Sequence, residues 1–177
     1  SIAVLGNYNY FGHMRMVYLD RSMFMPTITA GIVCGLAGGA FSQLILWPRM
    51  GKMAAVWQAR RKHPVLFAGG CGLIVAALGC FGNGLSFGSG YSSTARVVAG
   101  EMSLPWYAPL TRFFATLVSY YSGIPGGIFV PSLAVGAAVG SNLATVIGVP
   151  ADTIPIIALC MAGFLAAVTQ APITSAI

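Results

Sequence analysis

Gly123-Ile124-Pro125-Gly126-Gly127-Ile128-Phe129-Val130-Pro131 stands between two apolar runs, and its reading decides the fold. Its glycines and Pro125 break one helix, and the apolar run from about Ile128 begins the next. The first amides of a helix have no partner inside it, and the aligned peptide dipoles make that end electropositive. In a membrane, such a terminus can hold an anion without a full positive charge beside it. Gly126 and Gly127 carry no side chain, so an ion can approach the backbone amides of Ile128 and Phe129. Pro125 removes one competing donor and stiffens the approach. The bland alternative is a Gly/Pro hinge between two packed spans.

The rest of the chain places this break in a bilayer. Of 177 residues, 57% are hydrophobic and 7% are charged, and the mean hydropathy is +0.83. A soluble domain carries about 25% charged residues, so this chain cannot cover a globule with charge. The expected fold class is an all-α membrane protein, a multi-span bundle of tilted and partial-length helices. The expected spans are 26–47, 64–81, 105–121, 128–147 and 154–168, against the ~20 residues that cross hydrocarbon. Their unequal lengths and Gly/Pro interruptions point to half-length or re-entrant helices, as in transporters with sites near the midplane.

The net charge of +6 is concentrated rather than spread. Arg49, Lys52, Arg60, Arg61 and Lys62 fall in one segment between two spans. This is the pattern of a cytoplasmic loop under the positive-inside rule and argues against a nucleic-acid partner. Arg112 lies within the 105–121 run. An Arg at a helix centre costs about 2.5–3.5 kcal/mol to insert, so it must face protein, a polar cavity or helix-end carbonyls. Anchoring and a place on an ion path are both open to it.

Several motifs carry less. Gly31, Gly35, Gly38 and Gly39 form a small-residue face, and Gly136 and Gly140 a GxxxG pair, both suited to close helix packing. His63, before Pro64, reads as a surface residue. Residues 82–91 form a Gly/Ser-rich loop without the Lys-Ser/Thr that completes a phosphate loop. The scattered Cys34, Cys71, Cys80 and Cys160 support neither a metal site nor a disulfide framework. Asp20, Glu101 and Asp152 are far apart, and no GxSxG or HExxH occurs. No enzyme and no cofactor are therefore expected. The chain begins without Met and stops at Ile177 beside an apolar run, so a piece of a longer protein is expected.

Gly127-Ile128-Phe129-Val130-Pro131 resembles the GxFxP signature of the CLC family of voltage-gated chloride channels and proton-coupled chloride antiporters. Ser122 to Gly127 before it and Leu133 to Ala137 after it extend the likeness. Arg112 and Thr116 stand upstream where that family often has a basic residue and a Thr. Ala166 to Thr174 is similar to its later helix and APLT-type turn, and 82–91 to its extracellular loop. The resemblance covers most of residues 26–177 and corresponds to the second half of an inverted-repeat membrane domain, spanning 1–177 here. It implies that the amides of Ile128 and Phe129 bind the central chloride, with Gly126, Gly127 and Pro131 shaping the site. It further implies a homodimer with one pore per subunit, a cytoplasmic 49–62 loop, and a multi-pass protein in a bacterial inner or plasma membrane. No Glu here stands in the family's gating context, and neither its internal proton-transfer Glu nor its late pore Tyr has a counterpart, so channel and antiporter both stay open.

Overall fold

A computed structural model describes residues 24–47, 58, 60–148 and 153–171. Its regular structure among the described residues is helical. Helix α1 is Phe24–Leu46, α2 Pro64–Phe81, α3 Tyr91–Val98, α4 Ala108–Ser122, α5 Phe129–Ile147 and α6 Thr153–Thr169. Asp20, Asp152, the 49–57 part of the basic segment and the turn beyond Ala171 lie outside the described residues.

Sequence explains where most helices begin and end. Pro64 opens α2 at a position whose N–H has no helical partner. Gly123 ends α4 in the left-handed region at φ 81°, its N–H donating to the Tyr120 carbonyl at 3.3 Å. Gly148 ends α5 in the same way at φ 73°. Helix α3 closes through Gly100 at φ 77°, with Gly100 N–H donating to Val97 and Glu101 N–H to Arg96. The run expected at 105–121 is helical only from Ala108. Pro109 takes the first turn, while residues 103–107 stay irregular because α5 satisfies them. Ser141 Oγ accepts from Leu104 N–H at 3.2 Å, and Asn142 Nδ2 donates to the carbonyls of Pro105 and Trp106 at 3.4 and 3.1 Å.

Helices α1, α2 and α5, of 23, 18 and 19 residues, are long and apolar enough to cross a membrane. Helix α6 is equally apolar but shorter at 17 residues. Helix α4 has 15 residues, a rise of about 22 Å, which is less than the ~30 Å of hydrocarbon.

The core lies where α1, α4, α5 and α6 meet. Phe41, Phe164, Ile156, Val135 and Cys160 are buried there. Phe41 stacks edge-on against Phe113 with centroids 5.0 Å apart. A second cluster joins α3, the 102–108 segment, α5 and α6 through Val97, Leu104, Ala138 and Ile157. The Tyr121 hydroxyl donates to the Leu44 carbonyl, tying the end of α4 to the end of α1.

Gly136 and Gly140 face α6. A methyl group at Gly136 would sit 2.7 Å from the Cys160 oxygen, and one at Gly140 2.7 Å from the Ile157 Cα, so backbone packs directly on backbone. The small-residue face expected on the first span is used at one position among the described residues. Gly38 meets Ala167 and the Phe164 carbonyl, while Gly31, Gly35 and Gly39 have nothing within 4 Å of where a Cβ would stand. Cys34, Cys71 and Cys160 are buried, whereas Cys80 is exposed.

Candidate anion site

Helix α5 starts without any side-chain cap. Ile128 occupies the N-cap position with φ −90° and ψ −19°, and its side chain cannot accept a hydrogen bond. The first amide bonded within the helix is that of Ser132, which donates to the Ile128 carbonyl at 3.0 Å. Pro131 has no N–H. The amides of Gly126 to Val130 find no acceptor among the described residues. The helix therefore begins one residue later than expected, with Ile128 as its cap and Phe129 in its first turn.

Gly126 and Gly127 are exposed and have nothing within 4 Å of a would-be Cβ. Neither adopts positive φ. Neither packing nor backbone strain among the described residues explains glycine at these two positions.

The break opens on a cavity of about 480 Å³. One wall is α2, through Ala68, Cys71, Gly72 and Val75; the 85–90 loop closes one end; Gly126, Gly127, Ile128 and Pro131 form the α5 side. The α4 wall is Arg112, Ala115, Thr116, Ser119, Tyr120 and Ser122; apart from Tyr120 it is a stripe at helical spacing of one cation and small, mostly hydroxylated side chains. Ile128 and Pro131 thus line the cavity, while Phe129 does not. The Phe129 ring is 57% exposed and points elsewhere.

Arg112 is 4% exposed. Its Nη1 donates to Thr94 Oγ1 at 3.5 Å and its Nη2 to Ser93 Oγ, both on α3. Its Nε is buried without a partner. Gly90, at φ 76°, leaves it room, since a methyl group there would lie 2.6 Å from Nη1 and 2.9 Å from the Ala134 Cβ. No carboxylate offsets this cation among the described residues. The acid described there, Glu101, pairs loosely with Arg96 at 4.0 Å on an exposed surface, an arrangement worth at most about 1 kcal/mol. A buried guanidinium held by neutral hydroxyls is costly unless an anion joins it.

Sequence reasoning singled out Arg112 and the α5 start but missed what connects them. Ser119 and Ser122 follow Arg112 and Thr116 on one helix face, a pattern visible in a helical-wheel count of 108–122. Ser93 and Thr94 gave no signal, because they meet Arg112 only once α3 has packed against α5 and α6. The described residues hold no cluster of metal-ligating side chains.

The profile described as voltage gated chloride channel matches residues 1–177. The chain is 33% identical over 159 residues to the voltage-gated ClC-type chloride channel ClcB of Escherichia coli, covering 84% of the chain and 36% of that protein. It is 31% identical over 169 residues to ClcB of Salmonella typhimurium, covering 90% of the chain and 38% of that protein. It is 33% identical over 114 residues to the H(+)/Cl(-) exchange transporter ClcA of Salmonella typhimurium, covering 63% of the chain and 24% of that protein. The chain thus spans well under half the length of these relatives. No solved structure gives a significant match. An integral membrane chain of apolar helices, matched from end to end by this profile, belongs to the voltage gated chloride channel (CLC) family.

Proposed function

We propose that this chain forms one wall of the anion path in a chloride transport protein, acting as a voltage-gated channel or a proton-coupled antiporter. The amides of Ile128 and Phe129 serve as donors to the central chloride, and Gly126, Gly127 and Pro131 leave it space. The observation that carries this reading is the pairing of two unsatisfied positive features across one cavity: the uncapped start of α5 and the buried Arg112 with its unpartnered Nε. Neither has a structural counterpart to neutralise it among the described residues, and an anion in the cavity is attracted by both.

Chemistry supports the same reading. A chloride entering the bilayer loses hydration, and each backbone donor to a charged group returns roughly 1.5–3 kcal/mol. A partial helix charge with one cation at some distance binds firmly enough for entry and weakly enough for release. The protein works as a transporter rather than an enzyme, without cofactor, in the lipid bilayer and as a homodimer. The test is chloride efflux from liposomes carrying the full-length protein, comparing Phe129→Ala with Phe129→Pro. Both lose the ring, but only the proline removes the amide. Equal flux and selectivity in the two variants would refute the site assignment.

A further inference from the structure

The basic segment before α2 also reaches the Gly-rich break. Residues 60–62 are helical ahead of His63 and Pro64. Arg61 and Lys62 are exposed, while Arg60 is half-buried. Its guanidinium lies on Gly123: a methyl group there would stand 2.6 Å from Arg60 Cζ and 2.8 Å from Nε, with Nη2 also in contact. These near-equal separations mean that the guanidinium plane rests flat against the backbone. Only glycine at this left-handed position admits it.

From this placement we infer that Arg60 is a charge-positioning residue for anion movement, a fixed cation on Gly123, whose neighbours Ser122 and Ile124 line the cavity, at the other end of α4 from Arg112. The inference rests on the chloride-transport reading and adds a residue to it. Arg112 stands near the start of α4 and Gly123 at its end, so the two guanidiniums bracket the stripe of small polar residues on that helix. An anion arriving from the side of the basic segment meets Arg60 before it reaches the amides of Ile128 and Phe129. A cation about 10 Å from the ion in a water-filled cavity raises local chloride occupancy about twofold, and more where water is excluded.

The test uses the full-length protein in vesicles of zwitterionic lipid, which carry no surface charge of their own. Chloride efflux is measured at fixed chloride while ionic strength is raised with the salt of a large organic anion. Arg60→Gln should lower the initial rate about twofold or more at about 10 mM ionic strength, where the Debye length is about 30 Å, and much less at about 1 M, where it is about 3 Å. Arg60→Lys should keep most of the wild-type rate and its salt dependence, because the charge survives. Arg61→Gln, on the exposed side of the same turn, should have a smaller effect. Equal, salt-independent losses in Arg60→Gln and Arg60→Lys would mean packing alone and overturn the inference, as would an unchanged Arg60→Gln rate at low salt. If the unsubstituted protein moves no chloride, the transport reading itself falls and takes this inference with it.

Discussion

Replacing Arg112 by Met separates the two roles open to that side chain. Methionine keeps much of the volume and removes the charge. Suppose the guanidinium serves only as an anchor for α3 through Ser93 and Thr94. Then the variant loses two hydrogen bonds and becomes less stable whatever anion is present. If instead it balances a transported anion, the chloride-free protein carries a buried cation that nothing offsets, and the variant is relieved of it. Exchanging buried ionic groups for apolar ones of similar volume is often neutral or stabilising by about 1–4 kcal/mol. Chloride affinity should then fall. Eleven residues of α4 separate Arg112 from Gly123, on the order of 16 Å along the axis. An anion in the cavity thus lies about 10–15 Å from the guanidinium. At an effective dielectric constant of about 20, one unit charge at that range contributes roughly 1.1–1.7 kcal/mol, or about 6- to 17-fold in dissociation constant. The assay is calorimetric titration of chloride into the full-length protein in detergent, paired with denaturation in a chloride-free gluconate buffer. Expected are a weakened chloride isotherm and equal or greater chloride-free stability. An unchanged isotherm together with a stability loss of about 3 kcal/mol or more would refute the reasoning and leave Arg112 as an anchor.

The remaining expectations concern the supports of the site. Phe129→Pro should weaken chloride binding about 10- to 150-fold relative to Phe129→Ala, the equivalent of one hydrogen bond to a charged group, measured by chloride titration. Gly136→Ala or Gly140→Ala should destabilise by about 1–3 kcal/mol in denaturant titration, because each methyl group meets α6 backbone. Asn142→Ala should cost about 1 kcal/mol in the same titration and speed proteolysis near Pro105 and Trp106, whose carbonyls it holds.

Much of the architecture was legible because membrane helices obey blunt rules. Apolar runs bounded by Pro and Gly mark α2 and α5 to within a residue or two, and the same composition excluded a soluble fold. The family likeness read from Gly127 to Pro131 and its flanks agrees with the profile match over the whole chain. Helix α4 was harder. Pro105 looks like a helix start, yet the helix waits for Ala108 because Ser141 and Asn142, 36–37 residues away, hold the preceding backbone. No local rule contains that contact. The Gly face of α1 failed for the opposite reason: spacing says that a close approach is possible but not which glycine a partner uses, and among the described residues only Gly38 has one. At the site, the α5 start was visible from Gly126, Gly127 and Pro131. The cavity opposite it was not, since it arises from α2, the 85–90 loop and α4 converging on the α5 start, and only the hydroxyl stripe of α4 left a trace in the sequence.

The backbone contact between α5 and α6 has a mechanical consequence. Gly136 and Gly140 are about 6 Å apart along the axis, and Phe129 lies about 10 Å beyond Gly136 toward the tip. Taking Gly136 as a fulcrum, an ångström of spreading at Gly140 swings that tip by nearly two. A substitution deep in this seam, remote from any ion, should therefore register as altered permeation well before it registers as unfolding.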